Sequence, residues 1–259
     1  KGSAYATVIS MILLTIWVVA HFRSSKSVVK LKAENIRFDR KILFEILAIG
    51  MAPFFMQIAN SVVQGLINTK LIAFGGDLAV GAMGIVNSIL TLIIMAIVAI
   101  NMASQPIISY NYGAKSYVRV KETLRIAILA ATAIAIFAFV VVETIPSSIV
   151  KLFNSTDAGL LDFGKEGLRM SLLALPVGGF RGVVGQVLQS MGEAKGAVLV
   201  GVRREVIILI PLLFILPNFF GLNGIWMAMP ISDLCSAVVV VFFLVNQWKK
   251  LGTLIEIHN

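Results

Sequence analysis

Residues 101–125 read NMASQPIISYNYGAKSYVRVKETLR: an apolar run closes, a polar elbow follows, and the next segment opens with Lys115, Arg119, Lys121 and Arg125. Proline has no N–H and disfavours helix at the residue before it, so Gln105-Pro106 is expected to end the incoming helix and Gly113-Ala114-Lys115 to supply the turn. Basic residues that flank apolar spans mark the cytoplasmic side of a membrane. A second elbow at 189–195, QSMGEAK, followed by Arg203-Arg204, repeats the order Gln, Gly, Ala-Lys, Arg. The echo suggests two helical hairpins built alike.

The composition agrees with a membrane setting. Of 259 residues, 58% are hydrophobic and only 14% charged, and the mean hydropathy is +0.94. Soluble domains carry about a quarter charged residues, so this is a polytopic membrane protein. The net charge of +9 does not indicate nucleic acid, because the basic residues lie between apolar spans and not on one soluble face. One cysteine, Cys235, permits neither an internal disulfide nor a CxxC motif. His21 and His258 lie at helix ends, so no histidine cluster forms a metal site, and no cofactor is implied. The chain opens Lys-Gly-Ser and enters an apolar helix at once, which reads as a start within a longer protein and not as a signal peptide.

Seven spans long enough for a hydrocarbon core of ~30 Å can be drawn, at 4–22, 42–74, 78–108, 126–145, 168–191, 198–216 and 225–245. Sixteen of the 22 basic residues follow spans one, three, five and seven, Arg203 and Arg204 being counted after the fifth. The positive-inside rule makes that side cytoplasmic, with the C-terminus inside. Trp226 and Trp248 bracket the last span about 33 Å apart along a helix, which suits an aromatic belt at each interface. The polar stretch 24–39 reads as a cytoplasmic linker. Asn154-Ser155-Thr156 fits a glycosylation sequon but reads as a plain turn, and Glu143 reads as a solvated helix end.

The joint order of these features resembles the C-terminal half of a multidrug and toxic compound extrusion (MATE) transporter, of the MepA-like bacterial branch. The resemblance rests on Gln105-Pro106 with Asn111-Tyr112-Gly113-Ala114, on the 189–195 elbow, on Gly224-Ile225-Trp226 with Pro230 to Asp233, and on the long basic joint. It implies an all-α, polytopic transmembrane helical bundle: residues 1–22 as the last helix of an N-terminal lobe, 23–41 as a basic linker, 42–248 as a six-helix C-terminal lobe and 249–259 as a cytoplasmic tail. The implied function is secondary-active efflux of small amphipathic, often cationic, compounds, coupled to H⁺ or Na⁺, in a bacterial plasma membrane. The implied partners are the lipid bilayer and the N-terminal six-helix lobe. Alternatives are a lipid-linked sugar flippase of the same superfamily, which needs a strongly cationic cavity, and a non-transporting membrane subunit. No paired carboxylates, His cluster or Ser-His arrangement at membrane depth suggests an enzyme.

Two sets of residues are candidates for chemistry. Gln57, Asn60, Gln64 and Asn68 recur at helical spacing on one face of the second span, with Asn87 and Ser88 on the neighbouring span as possible partners. Amides at this depth either line a substrate path or join helices by hydrogen bonds. Asp233 reads as the only carboxylate near mid-span, where an aspartate costs roughly 2.5–3.5 kcal/mol on insertion scales and needs a partner, a wet cavity or a proton. Arg181 matches it in depth. The two could form a buried pair, or Asp233 could exchange the coupling ion. One MATE branch carries acids on the seventh and tenth helices, where this chain offers amides and Arg181, with Glu45 and Glu166 near span ends. That departure points to the missing lobe for the main coupling carboxylate. Met51, Met56, Met83, Met95 and Met102 could give a soft surface for varied compounds or simply fill the core, and Pro53, Pro176, Pro211 and Pro230 could act as kinks.

Overall fold

The computed structural model describes residues 2–24, 27, 38–155, 157–190 and 203–258. All the regular structure among them is helical, and the chain divides into two compact units, Lys1–Met51 and Ala52–Asn259. Residues 191–202, which include most of the echo elbow at 189–195, and most of the expected linker lie outside the described residues.

The first unit contains α1, Gly2–Arg23, whose large side chains are exposed all round, Trp17 at 76%. A helix apolar on every side with its large side chains exposed suits lipid. Two of its hydroxyls are satisfied locally, Ser10 donating to the Ala6 carbonyl and Thr15 to the Met11 carbonyl at 2.8 Å each, as a helix in hydrocarbon requires.

Helix α2, Arg40–Gly113, begins in the first unit and from Ala52 onward belongs to the second; it breaks at Gly76 (φ 64°, ψ −160°), a conformation only glycine adopts without strain, and so contains two of the expected spans. Gln105-Pro106 does not end it, contrary to expectation. Proline removes one N–H, whereas leaving the helix in lipid would free many backbone groups, so the helix continues to Gly113. The elbow then turns where expected, at Ala114 and Lys115 (φ 58°), and Ser116 N–H closes it by donating to the Asn111 carbonyl at 2.8 Å.

Helices α3 (Tyr117–Thr144), α4 (Pro146–Phe153), α5 (Ala158–Ser171) and α6 (Leu175–Ser190) follow. Asp157 caps α5 by accepting from Leu160 N–H at 3.1 Å. The expected span 168–191 is not one helix. Pro176 has no N–H to give the Leu172 carbonyl, Leu175 N–H takes that carbonyl instead at 3.0 Å, and the chain breaks between α5 and α6. A π-helix, Arg203–Leu209, leads into α7, Ile210–Phe220, with Pro211 at the junction. Gly221 (φ 57°) turns the chain into α8, Leu222–His258, which runs through Pro230 without a break. Four stretches among the described residues are long and apolar enough to cross a membrane: Ala4–Arg23, Phe54–Gly113, Tyr117–Thr144 and Leu222–Glu256.

Two contacts set the packing. Helices α3 and α6 approach so closely at Gly179 that a Cβ there would lie 2.8 Å from the Ala131 carbonyl oxygen and from Ala135 Cβ. Trp226 is fully buried among Leu168, Leu213, Ile225 and their neighbours, and not on a belt. Its burial is possible because Gly167 leaves room for the ring, 3.2 Å from where a Cβ would stand. Trp248 remains half-buried, with Lys121 Nζ 4.7 Å from its ring centroid.

Candidate functional site

A cavity of about 490 Å³ opens inside the second unit, between α2, the α5–α6 break, the π-helix and α8. Helical spacing brings Asn60 and Gln64 of α2 to its wall, and Asn87, beyond the Gly76 break, joins them. Gln57 and Asn68 lie about one turn to either side and do not line it; both are exposed. Ser88 does not partner the stripe, since its hydroxyl donates to the Gly84 carbonyl at 2.8 Å. Val63, Ile67, Leu90 and Ile94 give the wall an apolar floor, and Met229 is the methionine on it. Of the expected methionines, Met83 is core, Met51 is exposed, and Met95 and Met102 are exposed and do not line the cavity.

Another part of the lining is ionic. Asp233 Oδ1 accepts from Arg204 Nε at 2.6 Å and lies 3.4 Å from Arg181 Nη2. Arg204 Nη1 also donates to Glu205 Oε1, and buried Ser232 donates to the Arg204 carbonyl at 3.3 Å. The four charged side chains are 12–23% exposed, and they tie α6, the π-helix and α8 together.

Two expectations are corrected here. Arg204 is not a loop cation, and Asp233 is not the only carboxylate at this depth, because Glu205 shares the wall. A π-helix widens the turn and is frequent at functional sites; here it turns Arg204 and Glu205 inward. The signal was present in the sequence, since charged residues inside an apolar span mark a site by default. Glu143 is likewise not simply solvated: its Oε2 accepts from Arg169 Nε at 2.9 Å, beside a second, open cavity with Asp162, Lys165 and Glu166. Among the described residues no cluster of His, Cys, Asp and Glu could hold a metal ion.

An all-helical membrane lobe with a polar cavity at membrane depth defines the class as a polytopic membrane transporter component. Residues 52–215 match the family model MatE, and the chain belongs to that family, which is one of transporters and not of enzymes. It is similar to multidrug export protein MepA of Staphylococcus saprophyticus, 26% identical over 246 residues, 94% of this chain and 54% of that protein. It is also similar to the MATE multidrug transporter DinF-BH, solved in complex with rhodamine 6G, at 33% identity and a TM-score of 0.82 over 95% of this chain and 55% of that one. A MATE structure in complex with MaL6 shares the fold, with a TM-score of 0.84 at 21% identity over 98% of this chain and 57% of that one. The chain thus spans about half the length of the relatives it matches.

Proposed function

We propose that the chain is the C-terminal lobe of a cation-coupled antiporter that exports amphipathic, often cationic, compounds across a bacterial plasma membrane, its C-terminus cytoplasmic, and that the cavity is this lobe's share of the substrate path. The observation that carries the reading is the wall itself: Asn60, Gln64 and Asn87 share one cavity with apolar Val63, Ile67, Leu90 and Ile94. A compound with a large apolar body and a few polar atoms finds both there. MATE relatives export drugs by name, and DinF-BH holds rhodamine 6G.

H⁺ or Na⁺ entering down its gradient would shift the balance between outward- and inward-facing arrangements of two lobes, this one and an N-terminal six-helix lobe. Asp233, between two guanidiniums, is in this reading a pin that fixes the wall, and the coupling carboxylate lies in the companion lobe. The flippase alternative calls for a strongly cationic cavity. Arg181 and Arg204 are matched by Glu205 and Asp233, so the ionic wall has no formal net charge, and export is preferred.

Ethidium efflux from energised cells lacking their own pumps tests this, with the chain expressed alone and then with an upstream six-helix half. Efflux is expected only in the second case. No efflux in either would sink the exporter reading.

A further inference from the structure

The charged groups of the cavity are unequally partnered. Arg204 serves both carboxylates, through Nε to Asp233 and Nη1 to Glu205. Arg181 has only the 3.4 Å approach of its Nη2 to Asp233, long for an N–H···O hydrogen bond, and its Nε is buried without a partner. Ser171, which lines the same cavity and is only 5% exposed, has a buried hydroxyl that also lacks a partner. A guanidinium offers donors alone, in a planar fork that matches two oxygens of one oxyanion. A hydroxyl lining the same cavity can add a further donor.

Glu205 and Asp233 are the acidic groups facing this wall, and both already engage Arg204. The unmet demand is therefore for an acceptor at Arg181. Leu172 and Leu175, at the α5–α6 break between Ser171 and Arg181, together with the apolar floor, offer contact to a hydrocarbon or aromatic body, and Asn60, Gln64 and Asn87 to its polar atoms.

We infer that Arg181 and Ser171 form an oxyanion subsite in the cavity, which takes the carboxylate, sulfonate or phosphate of an amphipathic molecule whose apolar body lies on Val63, Ile67, Leu90 and Ile94. The inference rests on reading the cavity as a substrate path, and it adds anionic and zwitterionic amphiphiles to the cations that this reading names.

Rhodamine 6G and its hydrolysed free acid make a matched pair, since they differ only in an ester replaced by a carboxylate. Binding of each to the purified chain in dodecyl maltoside is read by fluorescence polarisation. The acid is expected to bind roughly tenfold tighter, the worth of one charge-assisted hydrogen bond. In Arg181→Gln the acid-to-ester ratio falls to near one, in Arg181→Lys it recovers in part, and in Ser171→Ala it falls by a smaller factor. Adding back phosphatidylglycerol separates two sources of oxyanion. Competition with the acid but not with the ester supports the subsite and extends it to lipid phosphate, and no competition supports it for soluble amphiphiles. Equal binding of acid and ester to the unaltered chain overturns the subsite while leaving the cavity reading intact, and so does a preference that survives Arg181→Gln. Binding of neither dye overturns the cavity reading and the subsite with it.

Discussion

The Nε of Arg204 donates to Oδ1 of Asp233 over 2.6 Å, joining the π-helix to α8 across 29 positions of sequence. The two side chains are 12% and 17% exposed, so neither can turn to solvent when the other is lost. Breaking a buried pair from one side leaves an uncompensated charge and costs about 3–5 kcal/mol, whereas removing both partners costs far less. Asp233→Leu and Arg204→Leu are each expected to lower the thermal unfolding midpoint of the purified chain sharply. The double variant should recover only part of the loss, because Glu205 and Arg181 are then left without their partners. Single variants that melt with the unaltered chain would show that the pair does not hold the wall.

Helices α3 and α6 depend on the missing side chain at Gly179. A methyl there would meet both a backbone oxygen and Ala135 Cβ at 2.8 Å, and a carbonyl of α3 cannot swing aside as a side-chain end can. Gly179→Ala is expected to destabilise the lobe by about 1–3 kcal/mol, the usual penalty for overpacking. Adding Ala135→Gly should return only part of it, because the Ala131 oxygen remains. Full rescue by the second substitution would locate the clash in the side chain alone.

Trp226 is accounted for by Gly167. In a chain carrying Trp17→Phe and Trp248→Phe, the remaining indole should emit at short wavelength and resist quenching by aqueous iodide, as a fully buried ring does. Trp226→Ala should cost about 3–5 kcal/mol, the range for emptying a large aromatic site. Emission at long wavelength with ready quenching would return Trp226 to the membrane interface.

Composition, hydropathy and the basic elbows were enough to read a helical membrane lobe, because lipid admits only structures that satisfy their own backbone. The break at Gly76 and the turn at Lys115 were legible for the same reason: they interrupt long apolar runs with residues suited to turning. What was not legible is directional. The sequence reads Pro106 as a helix end and Pro176 and Pro211 as kinks, yet the first lies inside α2, the second follows a break and the third sits at a π-helix junction. Neighbouring helices decide among these outcomes, and spacing along one helix does not report them. Trp226 was misplaced because its burial depends on a glycine 59 positions away. Arg204 and Glu205 were passed over for a different reason: they stand next to a basic elbow, and their inward turn follows from the π-helix, which periodicity at 3.6 residues cannot foresee.

The amide stripe gives a prediction that separates a substrate path from helix glue. All four residues share a helical face, but only Asn60 and Gln64 reach the cavity, with Gln57 and Asn68 a turn beyond it. If the amides served only to join helices, position along the stripe would not matter to a ligand. If the cavity receives the compound, Asn60→Leu and Gln64→Leu should each weaken rhodamine 6G binding by about three- to tenfold, the worth of a hydrogen bond of roughly 0.7–1.4 kcal/mol. Gln57→Leu and Asn68→Leu should leave the affinity within about twofold, since exposed positions away from the site seldom exceed 0.5 kcal/mol. Unfolding midpoints measured on the same four variants keep the comparison fair, because a general loss of stability would lower both pairs together. Equal losses of binding at all four positions would remove the distinction between wall and stripe, and with it the reason for placing the compound in this cavity.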